Sequence, residues 1–65
     1  MNLDQIKGNW KQLKGKALEK WGELTNDEID RANGEREQLV GLVQEKYGKT
    51  RDEAEREVDE WLSSL

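Results

Sequence analysis

The side chains able to do chemistry in this chain are carboxylates and amines, and little else. Fifteen Asp and Glu stand against eleven Lys and Arg, with no histidine and no cysteine. That composition removes imidazole acid–base chemistry, thiol nucleophiles, disulfides and zinc sites built on those ligands. Carboxylate pairs remain available for proton transfer, but they fall where a helix would turn them to solvent, which leaves their pKa values ordinary. Ser63 and Ser64 stand at the end of the sequence with no base but lysine. The glycines are single and seven apart, not grouped into a phosphate-cradling loop. Asn26-Asp-Glu-Ile-Asp30 lacks the glycine and distal glutamate of a calcium loop. The expectation is no catalytic residue, no cofactor and no metal.

Binding chemistry is better represented. Residues 1–20 hold five lysines against two acids, a charge of +3, while residues 21–65 hold six cations against thirteen acids, or −7. Lys7, Lys11 and Lys14, with Lys49 and Arg51 further on, form the candidate interaction surface. One reading is that the two unlike halves pack against each other. The other is a basic face for an anionic partner. A net charge of −4 argues against general nucleic-acid affinity, because phosphate neutralisation needs a clustered excess of cations. Hairpin folds that bind DNA do so through a glycine turn leading into a helix N-terminus. Here Gly22 to Glu28 is acidic and repels phosphate, whereas Gly48-Lys-Thr-Arg51 is basic but runs straight into Asp52 and Glu53.

The elements that must position these residues are helical. Charged residues make up 40% and apolar ones 32%, a balance that leans toward disorder, but the apolar residues are periodic. Asn2 can cap a first helix over about 3–21, with Gln5 as its capping-box partner. Leu3, Ile6, Trp10, Leu13, Ala17 and Trp21 then recur at steps of three and four, one stripe bordered by lysines. Gly22 sits where a left-handed residue would end that helix. Thr25 with Glu28 opens a second, over 26–32, with Leu24 and Ile29 placed as a hydrophobic staple, and Asn33-Gly34 marks a break. A third runs over 35–47, turning Arg36, Leu39, Val40, Leu42, Val43 and Tyr47 inward, and Gly48 ends it. Thr50 with Glu53 starts a fourth over 51–63, carrying Ala54, Val58, Trp61 and Leu65, thickened by Leu62. The predicted core is Ile6, Trp10, Leu13, Trp21, Leu39, Val43, Tyr47, Val58 and Trp61. No stretch has the roughly 20 apolar residues needed to span a bilayer, and the start lacks a signal-peptide core. A cytoplasmic monomer of one domain, 1–65, is the expectation.

The chain also repeats itself. Shifted by 26, Gly8, Gln12, Leu13, Gly15, Glu19, Lys20 and Gly22 fall on Gly34, Gln38, Leu39, Gly41, Glu45, Lys46 and Gly48. A duplicated unit usually cannot bury its apolar face alone and needs its copy. Short loops make neighbouring helices antiparallel, so the chain reads as two α-hairpins pressed face to face. Gly15 and Gly41 fall inside helices and away from the stripe, where each costs about 1 kcal/mol against alanine. They are read either as a tolerated bend or as residues that keep the fold marginal.

Gly8-Asn-Trp10-Lys-Gln-Leu13-Lys-Gly15-Lys, Glu19-Lys-Trp21-Gly22-Glu-Leu-Thr25-Asn-Asp, Gln38-Leu-Val-Gly41 and Gln44-Glu-Lys-Tyr47-Gly48 together resemble the CsbD-like family of small bacterial proteins. The likeness extends through Ala54-Glu-Arg-Glu-Val58 and Trp61 and departs only in a short tail. It implies an all-α, four-helix domain of two roughly orthogonally packed hairpins, similar to the SAM-domain-like fold. It implies a soluble bacterial protein of the general stress response with no established activity and no catalytic residues to carry over. The leading expectation is a non-catalytic protective or protein-interaction role, with an unknown protein partner. The alternatives are a nucleic-acid-binding module using Lys7, Lys11, Lys14 and the Gly48–Arg51 turn, and membrane-surface association of the first helix on unfolding, without stable insertion.

Overall fold

A computed structural model describes residues 3–65, with side chains from Asp4 onward, and shows five α-helices and no strand among them. The Asn2 cap with its Gln5 partner, and the place of the Leu3 side chain on the stripe, lie outside the described residues. The helices are α1 (Leu3–Gly8), α2 (Trp10–Lys20), α3 (Asn26–Ala32), α4 (Arg36–Tyr47) and α5 (Arg51–Ser63). Helices adjacent in sequence pack on each other throughout, α1 on α2, α2 on α3, α3 on α4 and α4 on α5.

The helix expected over 3–21 is two helices, broken at Asn9. Its φ of −106° and ψ of 9° lie in the bridge region, although Asn9 N–H still donates to the Gln5 carbonyl at 3.0 Å. Gly8 and Asn9 are both weak helix formers, so the break falls where propensity is lowest. Ile6 and Trp10, on either side of it, are both buried.

The later boundaries follow from caps. Thr25 and Thr50 each accept from the backbone N–H three residues on, Glu28 and Glu53, and each glutamate reaches back to the threonine N–H. Leu24 and Ile29 are both in the core. Gly48 ends α4 at φ 63°, and Lys49 N–H closes the turn onto the Gln44 carbonyl. Gly22 plays no such part, because its φ is not positive. The chain leaves α2 at Trp21 instead (φ −118°, ψ 81°), where the pinned indole rather than a glycine sets the turn.

Between α3 and α4 the backbone makes two successive left-handed residues, Asn33 at φ 50° and Gly34 at φ 77°. Gly34 is buried, and a Cβ on it would lie 2.8 Å from the Lys7 Cα. No larger residue fits there.

The core is one cluster. Ile6, Trp10, Leu13, Trp21, Leu39, Val43, Val58 and Trp61 are buried in it, together with Ala17, Leu24, Ile29, Ala32, Val40 and Ala54. Tyr47 and Leu42 are half-buried at its edge, as is Leu62, while Leu65 is exposed beyond the end of α5. Arg36, which the wheel turns inward, is also half-buried and holds its guanidinium out on Asp59. The polar tips inside are matched. Trp10 Nε1 donates to the Ile29 carbonyl at 3.0 Å, and Trp21 Nε1 donates to Glu57 Oε1 at 2.7 Å.

Gly15 and Gly41 lie within α2 and α4, exposed, with nothing near the position of an added Cβ. Gly15→Ala with Gly41→Ala should therefore stabilise the fold by about 2 kcal/mol, raising the melting temperature by roughly 4–8 °C per kcal/mol in a domain of this size. A thermal melt followed by circular dichroism checks this, an unchanged midpoint being the contrary result. Gly34→Ala in the same assay should lower the midpoint, since both its left-handed φ and the Lys7 backbone oppose a Cβ.

Candidate interaction surface

The cations expected to face a partner are mostly engaged within the chain. Lys7 of α1 reaches Glu35, just before α4, at 2.6 Å, and Lys14 of α2 reaches Asp30 of α3 at 2.6 Å. Lys49 in the α4–α5 turn pairs with Glu57 of α5. Arg51 bridges Glu37 of α4 and Glu55 of its own helix. Of the five, Lys11 alone makes no ion pair among the described residues. Nor do the five form one patch. Lys7 lies beside the start of α4, and Lys49 and Arg51 follow its end.

The geometry thus favours the reading in which the basic first third is held against the acidic remainder. Lys7–Glu35 and Lys14–Asp30 join those parts directly. A second set of pairs ties the later helices. Arg36 grips Asp59 with Nε and Nη2 at 2.8 and 3.0 Å and also reaches Glu37, which Arg51 shares. Asp59, Arg36, Glu37, Arg51 and Glu55 so form a continuous ionic chain across α4 and α5. Sequence reasoning placed Arg36 in the core and missed this role. The signal available was the long flexible stem, which covers apolar surface while its head stays wet.

These contacts move the titrating groups away from neutrality. The Thr25 N–H, ahead of Lys46, holds the Glu28 carboxyl below the usual range, and the Thr50 N–H does the same for Glu53. Arg51 lowers Glu37, and Arg36 lowers Asp59. Burial pushes Glu57 up, but the Lys49 ammonium and Trp21 N–H together outweigh it, and the net shift is down. Hydrogen bonds to Glu35, Glu28 and Glu57 raise Lys7, Lys46 and Lys49 respectively.

Among the described residues Lys11, Lys16, Lys20, Arg31 and Arg56 make no ion pair, and the three lysines stand on α2. An open groove of about 350 Å³ lies between its second half and the end of α5, where Lys16 and Lys20 stand beside Trp61 and Leu65. Neither lysine makes an ion pair among the described residues, although Glu19 lies between them. No three potential metal-ligating side chains converge among the described residues, and no described helix is long and apolar enough to cross a membrane.

The sign of the pH dependence follows. The lowered carboxylates stabilise the fold above their unfolded pKa near 4.3, and that contribution disappears as pH falls through their lower folded values. The raised lysines stabilise it fully below about 10.4, a contribution lost as pH rises past that. With no histidine in the chain, the melting temperature should be nearly flat from about pH 5 to 9 and fall on both sides. Melts across a pH series check this, and a step near pH 6–7 would contradict it.

Comparison with known proteins agrees with the residue pattern. The family model described as CsbD-like matches residues 4–56. The UPF0337 protein YjbJ of Escherichia coli O6:H1 is 56% identical over 94% of this chain and 88% of its own length. A UPF0337 protein of Bordetella pertussis is 57% identical over 95% of this chain and 94% of its own, and one of Pectobacterium atrosepticum is 56% identical over 94% and 88%. With the family model matching most of its length and relatives above 50% identity along nearly all of it, the chain belongs to the CsbD-like family.

Proposed function

We propose that this is a non-catalytic cytoplasmic protein of the bacterial stress response, acting through a densely charged surface that protects or contacts other proteins. The observation that carries the reading is the pairing of surface charge, in which six of the eleven Lys and Arg side chains hold a carboxylate. Paired carboxylates are held low and paired lysines high, so these groups stay charged at neutral pH, where proton transfer calls for values near 7. The SAM-domain-like arrangement of two crossed hairpins belongs to the same reading, with α1 and α2 counted as one broken helix and the protein a single monomeric domain.

Two mechanisms fit such a surface. In one, the exposed acids of α5, Asp52 and Glu60 among them, bind one basic protein partner. In the other, the charged surface keeps unfolding neighbours soluble without a fixed partner. A second class of reading has one observation in its favour. Lys11, Lys16 and Lys20 of α2 are free of ion pairs among the described residues and could meet a phosphate backbone.

Affinity capture from stressed cells, with the tagged full-length chain as bait, separates the readings. A stoichiometric protein partner lost on Asp52→Lys with Glu60→Lys supports the first mechanism. Absence of a partner, with suppressed aggregation of heated lysate, supports the second. A gel shift that weakens steeply with salt and is lost on Lys11→Glu with Lys16→Glu and Lys20→Glu would move the assignment to nucleic acid.

A further inference from the structure

We propose that Asn33 is a site of spontaneous deamidation that the native fold holds closed, so that the modification records time spent unfolded. Asn33 is exposed and is followed by Gly34. In an open chain this is the dipeptide most prone to the reaction, because glycine offers no side chain to shield its amide nitrogen. That nitrogen attacks Cγ of Asn33 and loses its proton to solvent base. The Cγ–N bond breaks, and the side-chain nitrogen takes up a proton and leaves as ammonia. Water then opens the cyclic imide at either carbonyl, giving aspartate or a β-linked isoaspartate.

The fold opposes the first step. Attack needs the Gly34 nitrogen over the face of Cγ, a turn of the Asn33 ψ far from its left-handed value of 36°. Turning ψ drags Gly34 with it. Gly34 is buried against the Lys7 backbone, so close that an added Cβ would lie 2.8 Å from the Lys7 Cα. Glu35 N–H also closes the turn across this dipeptide onto the Ala32 carbonyl at 2.8 Å. Lys7 adds its ion pair to Glu35 on the far side. The reactive rotation therefore requires α1 to lift and the turn to open.

Once formed, the β-linked product cannot restore the turn. It adds a methylene to the main chain between Ala32 and Glu35, where two left-handed residues and one hydrogen bond fix the path. Asn33→Asp, by contrast, keeps the normal backbone and a residue type that tolerates the left-handed region.

The test uses the full chain at slightly alkaline pH, once native and once in concentrated urea, with circular dichroism confirming each state. Aliquots are mapped by peptide mass spectrometry and by isoaspartate-specific methylation. Conversion at Asn33 should be at least tenfold slower in the native sample, with Asn9 and Asn26 nearly unchanged in both. Equal rates in the two states, or no conversion in urea, would overturn the proposal. The β-linked product, refolded and separated by ion exchange, should melt below Asn33→Asp. Identical melting would overturn the assigned role of the turn.

Discussion

The indole of Trp21 is the contact on which the rest of the structure depends. It ends α2, lies fully buried, and meets Trp61 of α5 edge to face, with centroids 5.1 Å apart and planes at 65°. Its Nε1 donates to Glu57, which also takes the Lys49 ammonium. One side chain thus joins the end of the first repeat unit to the last helix of the second. Edge-to-face pairing suits the ring quadrupoles, and the matched N–H removes the cost of burying a donor. The loop beyond it is fixed from the same region, since Glu23 N–H donates to the Tyr47 hydroxyl.

Around that contact the chain keeps polarity strictly at the surface. Among the described residues no polar or charged residue is fully buried, and no buried side-chain nitrogen or oxygen lacks a partner. A chain of 65 residues has little apolar area to offset chain entropy, so unpaired polar atoms inside would be hard to tolerate. The ion pairs sit outside this core, where each adds little alone. Two of them, Lys7–Glu35 and Lys14–Asp30, hold cations of α1 and α2 against acids further along the chain, while Lys11, Lys16 and Lys20 stay exposed.

Much of the architecture was legible from residue types. The threonine capping boxes, the Asn33-Gly34 break, Gly48 as a left-handed stop and the apolar stripes are local signals, set within a few residues of backbone. The break at Asn9 was not legible, because Ile6 and Trp10 keep helical spacing across it and periodicity does not register a bridge-region residue. Gly22 misled for a related reason. The repeat equates it with Gly48, but Trp21 is anchored by α5 while its counterpart Tyr47 stays at the core edge, so the two units leave their helices differently. The candidate surface was the least legible part. Spacing placed five cations along the chain, but apart from the i,i+4 pair Arg51–Glu55 the acceptors they meet, Glu35, Asp30, Glu57 and Glu37, are set by how the helices pack.

The sequence by itself determined that the chain is helical, where three of its helices begin or end, which residues are apolar enough to bury, and that histidine and cysteine chemistry are closed to it. These follow from backbone propensity, capping and composition, which act over a turn or less. Tertiary structure alone decided which carboxylate meets which cation, that Trp21 rather than Gly22 turns the chain, and that Gly34 must lie against Lys7. Those outcomes depend on packing between helices distant in sequence, where a shift of a few ångströms exchanges one partner for another.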